Sequence, residues 1–314
     1  MFLCLSLNPA VDRRLKMELL RVGKVNRVCQ VHEAPGGKAA HVAMVLRTLG
    51  ASPLWLGFAG GTTGALLIEA LRQMSIQVEG VPMRGKTRTN LEILDAGQRV
   101  TEILEPGPQI TTGELEQFQN AFQSILAGAG SMVTVILSGS LPPGTPRDYY
   151  ATLIRIARKF RARIFLDASG EALRSGLAAD PDFVKPNQEE AESWSGCRID
   201  GIHTASEVLR QMLEKGAAAG AISLGSEGLV WGSRAGRQTL VARIPKQSSA
   251  SCVGSGDATL AGFAFAAEKG WSPEESVRLA AACGVANCIA EGPGRAAAAD
   301  IARLQRQIHI ETLQ

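Results

Sequence analysis

Residues 251–266, SCVGSGDATLAGFAFA, hold the side chains and glycines best suited to chemistry. Gly254 and Gly256 allow backbone amides to converge where a helix begins, which makes a site for anionic oxygen. Asp257 lies in the first helical turn beside that site. Such amides could neutralise a migrating phosphoryl group while the carboxylate accepts the proton of a hydroxyl. The alternative is a glycine turn in which Asp257 only favours the helix dipole, and the motif alone does not separate the two.

A second glycine motif, GVPMRGKT at residues 80–87, satisfies the phosphate-loop rule G-x-x-x-x-G-K-[ST]. A phosphate loop must follow a buried strand and open a helix, because the helix N-terminus and the loop amides hold the phosphates. After Thr87 the sequence instead alternates like a strand and turns at Gly97, so we predict no phosphate loop here. GFAGGTTG at residues 57–64 lacks the G-x-G-x-x-G spacing of a dinucleotide site and is predicted to be a close-packed turn.

Strand, glycine turn and helix follow one another along most of the chain. Residues 1–7 are a predicted buried strand ended by Asn8-Pro9, and Gly36-Gly37 opens a helical pattern that Gly50 closes. The same order recurs at SPLWLGFAGG with GALLIEALRQM, MVTVILSGSLPPG with RDYYATLIRIARKF, ARIFLDAS, DFVKPNQEEAESW and AAISLGSEG. This repetition predicts an α/β fold, a mostly parallel sheet with crossover helices.

Two segments, residues 13–32 and 85–105, depart from this order. Each has short alternating stretches around a central glycine turn, which is typical of a hairpin. We therefore expect a core of residues 1–12, 33–84 and 106–314 and a small discontinuous β lid of residues 13–32 and 85–105.

Composition excludes several classes of protein. The 314 residues are 45% hydrophobic, and 33 scattered Lys and Arg against 30 Asp and Glu offer no stripe for a nucleic-acid backbone. The six cysteines form no C-x-x-C pair, which suits reduced thiols in a cytosol. The N-terminus lacks a basic segment before its apolar run, and no 18 consecutive apolar residues occur, so we expect a cytoplasmic protein without a membrane span.

VGSGDATLAGF resembles the signature near the C-terminus of the ribokinase-like sugar kinases, the PfkB carbohydrate kinases, usually written T-V-G-A-G-D. The likeness continues in family order over nearly the whole chain, with NPAVDR (8–13), PGGK (35–38), TRTNLEI (87–93), EPGP (105–108), LSGSLPPG (137–144), DASGEAL (167–173), VKPNQEE (184–190) and SLGSEG (223–228). The phosphosugar branch, with 1-phosphofructokinase and tagatose-6-phosphate kinase, is the most similar. The resemblance implies a three-layer αβα core with a small β-sheet lid.

The resemblance also implies roles on the ATP side of the site. Asp257 is the expected general base, and Gly254, Ser255 and Gly256 the expected anion hole. Asn187 and Glu190 are expected to position Mg²⁺, Glu190 through water, since Mg²⁺ keeps several waters. The alternative is a capping box between these two residues. Further expected nucleotide contacts are Lys185, Ser223, Gly225, Gly228 and Asn287, of which Asn287 could instead face solvent or bond locally.

On the sugar side, the resemblance points to Asp12 as an acceptor of hydroxyl hydrogen bonds and to the Gly36-Gly37 turn as a place of close approach. Lys38 and Arg88 are expected to hold a phosphate already present on the sugar, because a guanidinium grips phosphate with two hydrogen bonds. Lys24 and Arg27 on the first lid hairpin could add to this clamp, or could be solvated lid charges.

The chain departs from the family pattern P-G-G-K-G-x-N-V-A, because it has PGGKAAHVA. Ala39 replaces a glycine, and His41 replaces an asparagine expected to bind sugar hydroxyls. An imidazole offers a different set of donors and acceptors, so the substrate could differ; alternatively His41 is an ordinary partly buried histidine. Cys252 for threonine and Ser255 for alanine are smaller changes, and neither removes the glycines or Asp257.

Together these residues predict an ATP- and Mg²⁺-dependent kinase that phosphorylates a hydroxyl of a ketohexose phosphate, fructose 1-phosphate or tagatose 6-phosphate. Its expected partners are ATP and the sugar phosphate, together with a second copy of the chain bound through the lid. A kinase of a neutral sugar or nucleoside is the same-class alternative. A catalytically silent sugar-phosphate sensor is the alternative from another class, and a phosphate-loop nucleotidase at residues 80–87 comes last.

Overall fold

The computed structural model describes residues 1–97, 99–236, 238–247 and 251–313. The strands of these residues are β1 (Phe2–Ser6), β2 (Ala10–Met17), β3 (Gln30–Gly36), β4 (Leu54–Ala59), β5 (Gln77–Pro82), β6 (Arg88–Asp95), β7 (Val100–Leu104), β8 (Thr134–Ser138), β9 (Arg163–Asp167), β10 (Phe183–Val184), β11 (Ala219–Ser223), β12 (Leu229–Ser233), β13 (Thr239–Arg243) and β14 (His309–Leu313). The helices are α1 (Lys38–Thr48), α2 (Gly61–Gln73), α3 (Thr112–Gly128), α4 (Tyr149–Lys159), α5 (Gly170–Leu177), α6 (Gln188–Ser195), α7 (Ile202–Glu214), α8 (Ser255–Lys269), α9 (Pro273–Cys288) and α10 (Ala298–Gln305).

A ten-stranded sheet runs through the core in the order β14-β13-β12-β11-β10-β9-β8-β1-β4-β5. The strands from β5 to β11 in this order pair in parallel, whereas β12, β13 and β14 add an antiparallel edge. Parallel strands need crossover connections, and helices supply most of them here. The predicted fold class, an α/β protein with a mostly parallel sheet, is confirmed.

The sheet is buried on both faces, because successive side chains of a strand point to opposite sides. In β1, Leu3 and Leu5 pack in one hydrophobic cluster with helices α3 to α7. Phe2 and Cys4 pack in a second cluster with α1, α2, α8, α9 and α10. The apolar sequence FLCL thus contributes side chains to the hydrophobic cluster on each face of the sheet. With helices on both faces, the core has three layers.

A separate four-stranded sheet, which we call the lid, has the order β3-β2-β6-β7. Its two hairpins are antiparallel, and β2 pairs with β6 in parallel. The strands extend past the predicted lid segments, since Ala10 pairs with Gly36 across the first hairpin. Asp12 and Gly36 therefore lie on lid strands. The division of the chain into two domains stays a prediction.

The segment GVPMRGKT does not open a helix. Gly80 lies within β5, and Thr87 is followed directly by β6. As predicted, this segment lacks the strand-loop-helix order of a phosphate loop. The turn at Gly60 is close-packed, also as predicted, because a Cβ atom there would lie 1.9 Å from the Gly85 carbonyl oxygen. Among the described residues, no helix is both long enough and apolar enough to cross a bilayer.

Candidate active site

A cleft of about 1350 Å³ lies where the lid faces the carboxyl ends of the parallel strands. Polar residues stand at these strand ends, the edge at which open α/β sheets bind ligands. They are the last residues of four strands, namely Ser6 of β1, Ser138 of β8, Asp167 of β9 and Ser223 of β11, together with Lys185 directly after β10, and all of them line the cleft. The lid contributes Asp12 from β2, Asn90 and Glu92 from β6, and Glu102 from β7.

The glycine turn before α8 lies in this cleft. Gly254 takes the left-handed conformation, with φ 78°, as the residue before α8, and Asp257 is buried in the first helical turn. The first amides of a helix have no partner within it, so those of Gly256 and Asp257 can receive an anion. The Ser255 amide differs from the expectation, because it donates to the Cys252 carbonyl at 3.1 Å within the turn. The Ser255 amide is therefore already used within the turn, and the anion-binding roles of Gly254 and Gly256 stay predictions.

His41 joins two carboxylates across the cleft. Its Nδ1 lies 2.8 Å from Asp257 Oδ2, and its Nε2 lies 2.9 Å from Asp12 Oδ2. Burial alone would lower the pKa of His41, but the hydrogen bonds to Asp12 and Asp257 outweigh it and raise the pKa to about 10. Burial alone would raise the pKa of Asp12, but the hydrogen bond to His41 and a second one from Asn90 lower it. His41 is therefore an imidazolium at neutral pH.

The backbone at Gly36 leaves room for Asp12. A Cβ atom at Gly36 would lie 2.2 Å from Asp12 Oδ1, so only glycine fits beside this carboxylate. Asn90 Nδ2 donates to the same Oδ1 at 3.0 Å. Two neighbouring lid strands and α1 thus fix the position of the Asp12 side chain.

A second charge cluster lies deeper, at the end of β9. Lys38 Nζ is 2.9 Å from Asp167 Oδ1 and 3.2 Å from Glu190 Oε1, and Lys185 Nζ is 3.7 Å from Asp167 Oδ2. Burial alone would raise the pKa of Asp167, but the ammonium groups of Lys185 and Lys38 lower it. Burial alone would lower the pKa of Lys38, but Asp167, Glu190 and Asp257 raise it. Both lysines line the cleft.

Residues 187–190 form the capping box that was the alternative to a role in positioning Mg²⁺. Asn187 Oδ1 accepts from the Glu190 amide at 2.8 Å, and Glu190 Oε2 accepts from the Asn187 amide at 2.9 Å. The cap uses only Oε2, and Oε1 contacts Lys38 in the cleft. The structural and the functional interpretation of this element are therefore compatible.

Ser223, Gly225 and Gly228 line the cleft at the end of β11. Gly225 and Gly228 have φ of 58° and 98°, and a Cβ atom at Gly228 would lie 1.9 Å from the Ala242 carbonyl oxygen. Because these two positions carry no side chain, the turn after β11 is tight and its backbone lies at the wall of the cleft.

Arg88 lies at the lid end of the cleft and is largely engaged with backbone. Its guanidinium donates to the Asn8 carbonyl at 3.1 and 3.3 Å and to the Glu105 carbonyl at 2.7 Å. The Thr89 amide in turn donates to the Glu105 carboxylate at 2.9 Å. These hydrogen bonds join the TRTN and EPGP segments to each other beside the cleft.

Four predicted site residues do not line the cleft: Gly36, Lys24, Arg27 and Asn287. Lys24 and Arg27 are exposed in the loop between β2 and β3. Asn287 neither faces solvent nor lines the cleft. It is buried, donates to the Val253 carbonyl at 2.8 Å and accepts from the Gly294 amide at 2.8 Å. Asn287 therefore supports the glycine turn before α8 from behind.

Some site residues were not assigned a role from sequence. Asp167 and Asn90 stood within the quoted segments DASGEAL and TRTNLEI, and a polar residue at the end of a buried strand was the available signal for Asp167. Glu92 also lies within TRTNLEI, but neither Glu92 nor Arg14 is at the end of its strand, so no signal pointed to either. Their buried ion pair, with Nε 2.8 Å from Oε2, links β2 to β6, and Arg14 also donates to the Glu291 carbonyl beyond α9.

The chain is similar to known sugar kinases over nearly its whole length. The 1-phosphofructokinase of Vibrio cholerae is 30% identical over 309 residues, 98% of this chain and 96% of that protein. Phosphofructokinase-2 from Escherichia coli in complex with fructose-6-phosphate has a TM-score of 0.88 at 25% identity, with 98% of each chain covered. Ribokinase of Arabidopsis thaliana, complexed with ribose and ATP, has a TM-score of 0.76 at 20% identity over 97% of this chain and 98% of its own, a likeness of fold. Residues 6–299 match the pfkB family carbohydrate kinases, and the chain therefore belongs to this family.

Proposed function

We propose that the chain is an ATP- and Mg²⁺-dependent kinase that phosphorylates a hydroxyl of a ketohexose phosphate to give a bisphosphate. Fructose 1-phosphate and tagatose 6-phosphate are the proposed acceptors, and the Vibrio cholerae relative named 1-phosphofructokinase favours the first. One observation carries the proposal: Asp257 lies at a helix N-terminus in the same cleft as the Lys38 and Lys185 ammonium groups. A carboxylate base, helix amides and cations are what phosphoryl transfer requires.

In this mechanism Asp257 accepts the proton of the attacking hydroxyl. The oxygen not bound to His41 faces the acceptor, and the adjacent amides of Gly256 and Asp257 stabilise charge on the transferring phosphoryl group. Lys185 adds positive charge on the same side, since a Cβ atom at Gly256 would lie 3.2 Å from its Nζ. In this proposal the base and the anion site share the first turn of α8.

The residues at the end of β9 fit a hydrated Mg²⁺. Asp167 Oδ2 is buried and has no hydrogen-bond partner among the described residues, and Glu190 Oε1 stands nearby on Lys38. No three His, Cys, Asp or Glu side chains of the described chain converge into a full metal cage. Magnesium tends to be held through water by one or two carboxylates and by substrate phosphates, so Asp167 and Glu190 would suffice. When bound, Mg²⁺ supplies charge neutralisation at the phosphates.

For ATP, we propose that the base and ribose lie along Ser223, Gly225 and Gly228, and that the phosphates point toward Lys185 and Asn187. The narrow turn at Gly228 leaves backbone exposed to a flat ligand. The isolated bridge between Asn187 and Ser223 sets these two residues side by side.

At the other end, Asp12 would bind sugar hydroxyls and Arg88 the acceptor's phosphate. Arg88 donates its hydrogen bonds to the Asn8 and Glu105 carbonyls. To bind a phosphate, its guanidinium would have to replace some of these hydrogen bonds with hydrogen bonds to phosphate oxygens. Burial lowers the pKa of Arg88, but no guanidinium loses its proton in the working range of pH.

We also propose a homodimer through the lid. Val22 and Val25 in the loop between β2 and β3 are 94% and 84% exposed, and Leu19 and Val28 extend this apolar surface. Exposed apolar patches on a soluble protein mark association surfaces. A tetrameric inhibited form exists for the Escherichia coli phosphofructokinase-2, which shows that a relative assembles. A cytoplasmic location stays a prediction from sequence.

The first test is ADP release with Mg-ATP against fructose 1-phosphate, tagatose 6-phosphate, fructose 6-phosphate and free hexoses. We expect turnover confined to a phosphosugar and reduced by about 10³-fold or more in Asp257→Asn, which keeps the shape but removes the base. Calorimetric binding of a sugar phosphate without ADP release from wild-type protein would instead identify a sensor.

A kinase of a neutral sugar is a second candidate, favoured by the acidic lining of the acceptor end. The Asp12, Glu92 and Glu102 carboxylates line it. Burial, then Glu92 and Asp12, raises the pKa of Glu102, which reflects this crowding of acids. Arg88→Gln separates the candidates, because it would raise the KM of a phosphosugar about tenfold or more but leave that of a neutral sugar unchanged.

A further inference from the structure

His41 forms a bridge between the lid and helix α8. His41 is in the first turns of α1 and is only 4% exposed, between Asp12 on β2 and Asp257 on α8. The family pattern has asparagine at this place, and an asparagine amide is too short to reach two carboxylates on opposite sides. An imidazole carries two nitrogens about 2 Å apart that point outward in different directions. The substitution thus creates a link between the sugar-binding carboxylate and the base.

The link requires a doubly protonated ring. A neutral imidazole donates from one nitrogen and accepts at the other, but a carboxylate oxygen lies within 2.9 Å of each nitrogen. The other charged groups near this unit are Glu102 on β7, Lys38 on α1 and Arg88 on β6. The carboxylates in contact with the ring decide its state, and they favour the imidazolium with its raised pKa.

We propose that His41 is a positioning residue for the phosphoryl transfer proposed above, on which this inference rests: it holds Asp12 and Asp257 as one rigid carboxylate–imidazolium–carboxylate unit. Both ring N–H groups are used by the carboxylates, so none remains for the sugar. Asp257 keeps its other oxygen for the attacking hydroxyl, and Asp12, fixed by His41 and Asn90, orients the sugar toward it. His41 sets the distance between the acceptor and its base without touching either reacting atom.

Two substitutions separate the two halves of the unit. In histidine the Nδ1 position corresponds to the amide nitrogen of asparagine, and the Nε2 position to that of glutamine. His41→Asn keeps the donor to Asp257 and loses the one to Asp12. His41→Gln keeps the donor to Asp12 and loses the one to Asp257. The two variants are therefore matched controls for each other.

For His41→Asn we expect the KM of the acceptor to rise about tenfold, with kcat within roughly threefold of wild type. For His41→Gln we expect the reverse, with kcat reduced by on the order of 10²-fold and KM little changed. Both variants lack the imidazolium, which lowers the pKa of Asp12, so the acid limb of the kcat/KM profile moves to higher pH in both. Equal losses of kcat in the two variants, with an unmoved acid limb, would make His41 a packing residue and overturn the proposal.

A second measurement does not depend on turnover or on the folding of a variant. In ¹⁵N-histidine NMR of the wild-type protein, the His41 ring is expected to show two protonated nitrogens at pH 8; the exposed rings of His32, His203 and His309 serve as references. A neutral His41 ring at pH 8 in an active kinase would contradict the positioning role of His41 but leave the proposed function standing. A protonated ring in a protein that phosphorylates none of the acceptors would reject the proposed function and, with it, the role in transfer.

Discussion

Buried and partly buried charges alternate in sign through the cleft. Asp12, His41 and Asp257 form one row, and Glu190, Lys38, Asp167 and Lys185 form a second. A buried carboxylate without a cation would gain a proton, and the neighbouring cations oppose this: His41 lowers the pKa of Asp12, and Lys185 and Lys38 lower the pKa of Asp167. The two rows differ in the groups at their ends, which are left to contact a ligand. The second row ends on Lys185, which suits phosphate oxygens, and the first ends on carboxylates, which suit hydroxyl groups.

The His41 imidazolium predicts how stability depends on pH. The raised pKa means that the folded protein binds this proton more tightly than the unfolded chain. Its contribution to stability is complete below the unfolded pKa of about 6.5, and it is lost as pH rises toward about 10. Over this interval we expect wild type to lose about 1.4 kcal/mol per pH unit relative to His41→Asn. Urea unfolding at several pH values measures the difference.

His203→Asn is the control, because His203 is exposed on α7. The free energy of unfolding of His203→Asn should change with pH in the same way as that of wild type. Parallel curves for wild type and His41→Asn between pH 6.5 and 10 would show that the ring carries no charge in the folded protein.

At the scale of elements, the end of α9 meets the turn before α8 through a pair of thiols. Cys288 Sγ lies 3.3 Å from Cys252 Sγ and 3.1 Å from Ser255 Oγ, and both cysteines line the cleft. Burial raises the pKa of Cys288 to about 11, so this thiol is protonated at neutral pH. Diamide can take one hydrogen from each thiol and leave a disulfide bond between them. That bond would pull the turn that carries Asp257 toward α9.

We expect diamide to reduce kinase activity by about tenfold or more, because a small displacement of a catalytic turn is costly. Dithiothreitol should restore the activity, and peptide mass spectrometry should find the Cys252–Cys288 crosslink. Cys252→Ser should resist diamide. The double variant Cys29→Ser/Cys197→Ser, which removes two exposed cysteines, should be as sensitive as wild type. Inactivation of Cys252→Ser would assign the effect to another thiol.

The elements were predictable from sequence because their signals are local. Alternating or continuous apolar runs gave β1, β4, β8 and β9, and glycines marked the ends of helices such as α1. Asp257 was predictable as well, since its glycine turn is contiguous with it. The contacts of His41 were not, because Asp12 and Asp257 lie 29 and 216 positions away and only the fold brings them together. The extent of β2 and β3 was missed for the same reason.

Over the whole molecule, Arg14 is a second buried cation, besides His41, that joins the lid to the core. Arg14 on β2 holds Glu92 on β6 with two hydrogen bonds of 2.8 and 2.9 Å, and it donates to the Glu291 carbonyl of the core. That carbonyl belongs to the loop after α9, whose Gly294 amide is bound by Asn287 behind the glycine turn. A lid held in this way would keep water from the transferring phosphoryl group.

Arg14→Met should therefore lower the free energy of unfolding and also weaken the coupling of ATP hydrolysis to the presence of an acceptor. It leaves the buried Glu92 carboxylate without its cation, which costs about 3–5 kcal/mol of folding free energy. It also removes the contact with Glu291, so we expect ADP release without an acceptor to rise about tenfold. The double variant Arg14→Met/Glu92→Met replaces the ion pair by an apolar pair of similar size, and its stability should return to within about 1–2 kcal/mol of wild type.

The double variant distinguishes charge burial from attachment of the lid. If Arg14 attaches the lid, the double variant unfolds like wild type but still hydrolyses ATP without an acceptor, because no side chain reaches Glu291. Recovery of tight coupling together with stability would contradict this, since the effect of Arg14→Met would then arise from the unpaired Glu92 alone. Denaturant unfolding and acceptor-free ADP release, measured on the same three proteins, decide between the two explanations.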